Sequence, residues 1–105
     1  MPTRFRVEIS RTAETDVDDI WSFIAADDPV AATDFLLGLE AKTETLERFP
    51  QRCPSIPENA ILGTNYHHLL YGEYRVIFRI SGKAVYVLRV IHGARLLDST
   101  FLEDV

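Results

Sequence analysis

The apolar positions of this chain change period along its length. Phe5, Val7 and Ile9 alternate with Arg4, Arg6 and Glu8, the period of two that suits a strand with one buried face. From Ala13 the spacing is helical. Ala13, Val17, Ile20, Trp21 and Ile24 form one stripe, with Glu14, Asp16, Asp18 and Asp19 between them. Ser10 precedes this stripe as an N-cap, and the acids near the start suit the helix dipole. Asp27-Asp28-Pro29 ends the first helix and starts a second, with Asp28 as cap and Pro29 at the first helical position. Ala32, Phe35, Leu36, Leu39, Leu46 and Phe49 give the second stripe, closed by Pro50. The turn is so short that the two helices form an antiparallel hairpin.

Residues 50–65 carry Pro50, Pro54, Pro57 and Gly63 and read as a loop. Three β-rich runs follow: Tyr66–Tyr71, Tyr74–Ile80 and Ala84–His92. Gly72-Glu73 and Ser81-Gly82-Lys83 are the turns between them, and such short turns force an antiparallel meander. Val85–Ile91 is apolar on both faces, as a central strand would be. The expected fold is α+β in a single domain, 1–105: a strand, an antiparallel helical hairpin, then a three-stranded antiparallel meander. The helices cover one sheet face. The other face is expected to stay open, carrying Arg75 and Arg79.

Composition sharpens this picture through its distribution. The chain has 105 residues and a formal charge of −5, which disfavours a protein that coats nucleic acid by charge. Yet residues 1–60 sum to −6, residues 61–97 to +4 and residues 98–105 to −3. The helices are acidic and the sheet is basic. Arg75, Arg79, Arg89, His92 and Arg95 either receive phosphate or an acidic partner, or serve only to keep an open sheet face solvated.

Cys53 is the only cysteine, so neither an intramolecular disulfide nor a cysteine-based metal site is expected, and a reducing compartment follows. Cys53 is either an inert thiol or one half of a Cys–His pair. His67 and His68 are adjacent on a strand and point to opposite faces, so no metal site is expected. Glycine-rich phosphate loops and a serine elbow are absent from the sequence, and no cofactor is expected. No run is long and apolar enough for a signal peptide or a membrane span, which points to a soluble cytoplasmic protein without membrane partners.

Tyr74-Arg75-Val76-Ile77-Phe78-Arg79-Ile80, followed by Val87-Leu88-Arg89-Val90-Ile91-His92-Gly93-Ala94-Arg95, resembles the RelE/ParE superfamily of type II toxin–antitoxin toxins. Ala13, Asp16, Ile20 and Trp21 in the first helix, Pro29 and Ala32 in the second, and Leu46 with Pro50 at its end fit the same pattern. The resemblance implies one of two activities. RelE-like members are ribosome-dependent endoribonucleases that cleave messenger RNA; Arg75 and Arg95 match their two arginines, with His68 or His92 as acid or base. Tyr66 and His68 stand where the expected lysines would be, and Phe101 replaces the expected tyrosine. ParE-like members, associated with plasmid stabilisation, inhibit DNA gyrase by binding, and Val90-Ile91-His92 with Arg95 looks like them. This second reading is preferred, with Arg75, Arg79, Arg89, His92 and Arg95 as target-binding residues. An inactive homologue that only binds an antitoxin is the third. All three imply a cognate antitoxin, acidic and folding on binding, contacting Trp21, Phe35, Arg75 and Arg79. The plainer alternative for Trp21 and Phe35 is the core of the hairpin.

Overall fold

A computed structural model describes residues 4–97. The strand β1 (Arg6–Ile9) leads into the helices α1 (Arg11–Ala25) and α2 (Pro29–Glu44). Two single 3-10 turns follow, Thr45–Glu47 and Pro50–Arg52, and then a short helix α3 (Asn59–Leu62). The strands β2 (His67–Tyr71), β3 (Tyr74–Ser81) and β4 (Ala84–His92) complete the order. Both helix starts are capped as the sequence indicates. The Ser10 hydroxyl accepts from the Ala13 N–H at 3.0 Å, and Asp28 Oδ1 accepts from the N–H groups of Val30 and Ala31 at 3.1 Å each. These bonds satisfy donors that a helix leaves orphaned.

The sheet order is β1-β4-β3-β2. β2, β3 and β4 form the expected antiparallel meander, and β4 is central. β1 joins the far edge of β4 in parallel, pairing Val7 with Val85 and Ile9 with Val87. The helical hairpin supplies the crossover that a parallel pair requires. Opposite Ile77 and Phe78 the register shifts, because Ile77 pairs with Arg89 and Phe78 with Val87. Leu88 is the extra residue of this bulge. Its carbonyl accepts from the Ser10 hydroxyl at 3.0 Å, so one side chain caps α1 and ties it to the sheet.

Three expectations need correction. The outer sheet face is not fully open. The proline-rich segment packs Ile56, Leu62 and Tyr66 against Ile77, Ile91 and Leu97 there, forming a second small core. The main core lies between hairpin and sheet, around Leu39, Leu46, Val76, Phe78, Val85 and Val87. Second, α2 stops at Glu44, so Phe49 lies outside its stripe. Phe49 adopts a left-handed conformation (φ 49°) and is 68% exposed; helix cannot continue through it, because the residue before a proline is disfavoured in the right-handed helical region. Third, residues 50–65 are not an unstructured loop, since they contain one of the two 3-10 turns and α3.

α2 meets β2 through an unusually close contact. A Cβ built on Gly38 would lie 1.9 Å from Tyr71 Oη and 2.9 Å from Cζ. Gly38→Ala would stabilise an isolated helix by about 1 kcal/mol. Here it is expected to cost about 1–2 kcal/mol, since the Tyr71 ring must leave its place 5.5 Å from Phe35. Urea unfolding checks this: in a Tyr71→Ala background the same Gly38→Ala change should become stabilising.

Candidate functional site

The arginine that carries the family resemblance is buried. Arg75 is 3% exposed and Glu58, just before α3, is 5% exposed. Both guanidinium Nη atoms donate to the Glu58 carboxylate, Nη1 at 3.1 Å to Oε1 and Nη2 to Oε2. Nη2 also donates to the Arg95 carbonyl at 2.7 Å, and the Leu97 N–H donates to Glu58 Oε2 at 2.8 Å. Nη1 approaches His68 Nδ1 at 3.3 Å. Since arginine only donates, Nδ1 accepts and His68 is the neutral tautomer protonated at Nε2. Arg75 Nε is buried and has no hydrogen-bond partner among the described residues. Asn59 fixes the loop that presents Glu58: its Nδ2 donates to the Tyr66 carbonyl at 2.9 Å and its Oδ1 accepts from the Tyr66 N–H at 3.0 Å.

The expectation that Arg75 stands on an open, solvated face therefore fails. The segment that covers the outer face brings its own carboxylate, and that carboxylate occupies the guanidinium fork. Arg75 and Arg95 are brought together, but through the Arg95 main chain.

The network has a pH signature. The Arg75 bonds, with help from the Leu97 N–H, hold the Glu58 carboxyl down from 4.5 to about 2. Burial and then the Arg75 charge push His68 below its ordinary value. Both folded pKa values lie below the unfolded ones, so both contributions are complete above the unfolded values and fade as pH falls. The His68 part is lost first, below about pH 6.5. The Glu58 part, worth about 3 kcal/mol, is lost between about pH 4.5 and 2. Urea midpoints should fall in those two steps, and Glu58→Gln should remove the lower one.

The remaining candidates are dispersed. Arg79 is exposed and lies over the Tyr86 ring at 4.3 Å. Arg6, on β1, donates to Glu8 at 2.9 Å, and bonding to Tyr86 and Glu8 raises its pKa. With Lys83 these residues make a basic, aromatic end of the outer face that the proline-rich segment leaves uncovered. Arg89 is not on that surface. It forms a fork with Asp16 of α1, Nε to Oδ2 and Nη2 to Oδ1 at 2.7 Å each, and the Val90 N–H donates to Asp16 Oδ2 at 2.9 Å. His92 is exposed, 3.9 Å from Glu73 and edge-on to Tyr74. Arg95 is exposed. Trp21 is 37% exposed, whereas Phe35 is half-buried between Tyr71 and Tyr74, with ring centroids 5.5 and 5.3 Å away. His67 points away from His68, stacks on Phe78 and bonds the Cys53 carbonyl at 2.9 Å. Cys53 is buried, and burial raises its pKa, which suits an inert thiol. Phe101 lies outside the described residues.

Sequence reasoning missed Glu58. Its neighbours Ile56, Ala60, Ile61 and Leu62 form an apolar setting for one acid, and that was the available signal. It also missed a groove of about 540 Å³ between the hairpin and the β1–β4 side of the sheet. Val7, Ile9, Leu36, Leu39 and Val87 form its floor, and Glu14, Asp18, Glu40, Glu44 and Glu47 line it as well.

The four-stranded sheet thus carries the helical hairpin on one face and the proline-rich segment with Leu97 on the other. The sequence matches, over residues 7–97, the family described as ParE toxin of type II toxin-antitoxin system, parDE. The chain belongs to this family. The fold is similar to a chain of the chromosomal ParDE toxin–antitoxin system from P. aeruginosa, with 18% identity and a TM-score of 0.67 over 86% of this chain and 97% of that one. It is also similar to a chain of the toxin–antitoxin complex RelBE2 from Mycobacterium tuberculosis, with 23% identity and a TM-score of 0.58 over 89% and 95%. No curated protein sequence is significantly similar to this chain.

Proposed function

We propose that this toxin inhibits DNA gyrase by binding in the bacterial cytoplasm, without catalysing a reaction, and that a cognate antitoxin neutralises it. The observation that carries this reading is the sealed Arg75. A ribonuclease of the RelE kind needs cations free to stabilise a developing phosphorane charge. Here the matching arginine is already neutralised by Glu58 and buried, and Tyr66 and His68 occupy the expected lysine positions. The exposed basic groups, Arg79 with Arg6 and Lys83, serve as the target-binding surface, with His92 and Arg95 at the other end of the sheet. Arg89, held by Asp16, drops out of that set.

Purified gyrase and relaxed plasmid provide the test. The expected result is loss of supercoiling at micromolar toxin, weakened about tenfold or more by Arg79→Glu. Full supercoiling at that concentration, together with cleavage of a translated messenger in primer extension, would replace this reading with the nuclease.

A further inference from the structure

We infer that the groove beside β1 is a strand-addition site for a cationic, alternating apolar segment of the antitoxin. The inference rests on the toxin–antitoxin reading above and adds the chemistry of the contact. The first observation is the phase of β1. The Arg6 N–H donates to the Lys83 carbonyl at 2.9 Å and the Ser10 N–H to the Val87 carbonyl at 3.0 Å. Alternation along the strand then turns the main-chain groups of Val7 and Ile9 away from β4. Among the described residues β1 is the edge of the sheet, so no described strand meets those groups. The Phe5 N–H, one step earlier on the same side, donates to the Glu47 carbonyl at 2.8 Å. The edge is therefore closed at Phe5 and open from Val7 to Ile9.

The second observation is what adjoins that open edge. The side chains of Val7 and Ile9 belong to the apolar floor of the groove, and Ile9 is 41% exposed. An added strand would gain main-chain bonds from the edge and drop alternate side chains onto the floor, as in strand-addition recognition generally.

Charge complementarity selects the occupant. The side chains lining the groove include Glu14, Asp18, Glu40, Glu44 and Glu47, and none of the described lining residues is Lys or Arg. Glu47 has a loose contact with Arg4 at 3.9 Å. An acidic segment would meet like charge here, whereas lysines or arginines between apolar residues meet carboxylates. An antitoxin acidic overall thus presents a basic stretch to this edge, while its acidic part suits the Arg79 end of the outer face.

The probe is a peptide of about seven residues alternating valine with lysine, long enough to span the edge. It is titrated into the full-length, 15N-labelled protein, beside the same peptide with glutamate for lysine. The expected result is movement of the Val7 and Ile9 amide signals, with the lysine peptide binding at least about tenfold tighter than the glutamate one. Val7→Pro removes an outward N–H that an edge strand can spare. The paired reversal Glu40→Lys, Glu44→Lys lies on exposed helix surface and keeps the test decisive if the proline variant fails to fold. Each change should weaken the lysine peptide about tenfold. Equal binding of the two peptides, indifference to both changes, or signals that move only around Arg79 and Tyr86 would overturn the proposal. So would peptide-independent shifts that grow with protein concentration, which would mean a second copy occupies the edge. If the antitoxin relieves growth arrest by the two variants as well as by the unaltered toxin, this site fails while the toxin–antitoxin reading stands. If the unaltered chain does not arrest growth, that reading fails, and the peptide titration still decides the site.

Discussion

Glu58→Ala is expected to lower the unfolding free energy by about 3–5 kcal/mol, a large share of what a small domain possesses. The substitution leaves the Arg75 guanidinium, buried in the unaltered protein, charged and with the Arg95 carbonyl and the His68 ring as its remaining partners among the described residues. It also orphans the Leu97 N–H. Arg75→Ala should cost a similar amount, because the Glu58 carboxylate would then keep little more than that one amide. The double change Glu58→Leu, Arg75→Met should recover most of the loss, since apolar replacement removes both desolvation costs together. Urea unfolding followed by Trp21 fluorescence measures all four proteins. Hydrogen exchange at Leu97 should quicken in both alanine variants before global unfolding. A loss below about 1 kcal/mol would mean that the pair is solvated in solution.

The second large effect is expected at Asp16, where α1 meets the sheet beyond the end of β1. Its carboxylate accepts from Arg89 twice and from the Val90 N–H, continuing the β4 edge past the last residue of β1. The Arg89 and Asp16 side chains are 11% and 13% exposed, so the pair is only weakly screened. Asp16→Ala should cost about 2–4 kcal/mol, because Arg89 keeps its charge and Val90 loses its acceptor. Asp16→Asn retains an acceptor for Val90 and should cost about half as much. Thermal unfolding checks both, with several degrees expected per kcal/mol for a domain of this size. Equal stability of the asparagine variant and the unaltered protein would show that charge is unimportant there.

The two sites explain why similar-looking arginines have different duties. Arg75 and Arg79 sit on β3 and Arg89 on the neighbouring β4, each flanked by apolar residues. Arg75 meets a carboxylate from the proline-rich segment, Arg89 meets one from α1, and Arg79 meets only an aromatic ring among the contacts described. Strand periodicity places a side chain on a face. It does not say what other part of the chain will arrive there.

The sequence by itself determined the elements and the class. The change of apolar period marks β1, the two helices and the three later strands close to their actual bounds, because backbone geometry converts spacing directly into faces. Ser10, Asp28 and Pro29 set the helix starts by local hydrogen bonding, and two short turns set the meander. The apolar run of β4 announced its central place. Tertiary structure alone decided the parallel docking of β1, the covering of the outer face, and the partners of Arg75 and Arg89. Those outcomes join Glu58 to Arg75 and Asp16 to Arg89, residues far apart in the chain. They follow from which buried charges find each other once the core has closed, and local propensity carries no record of that choice.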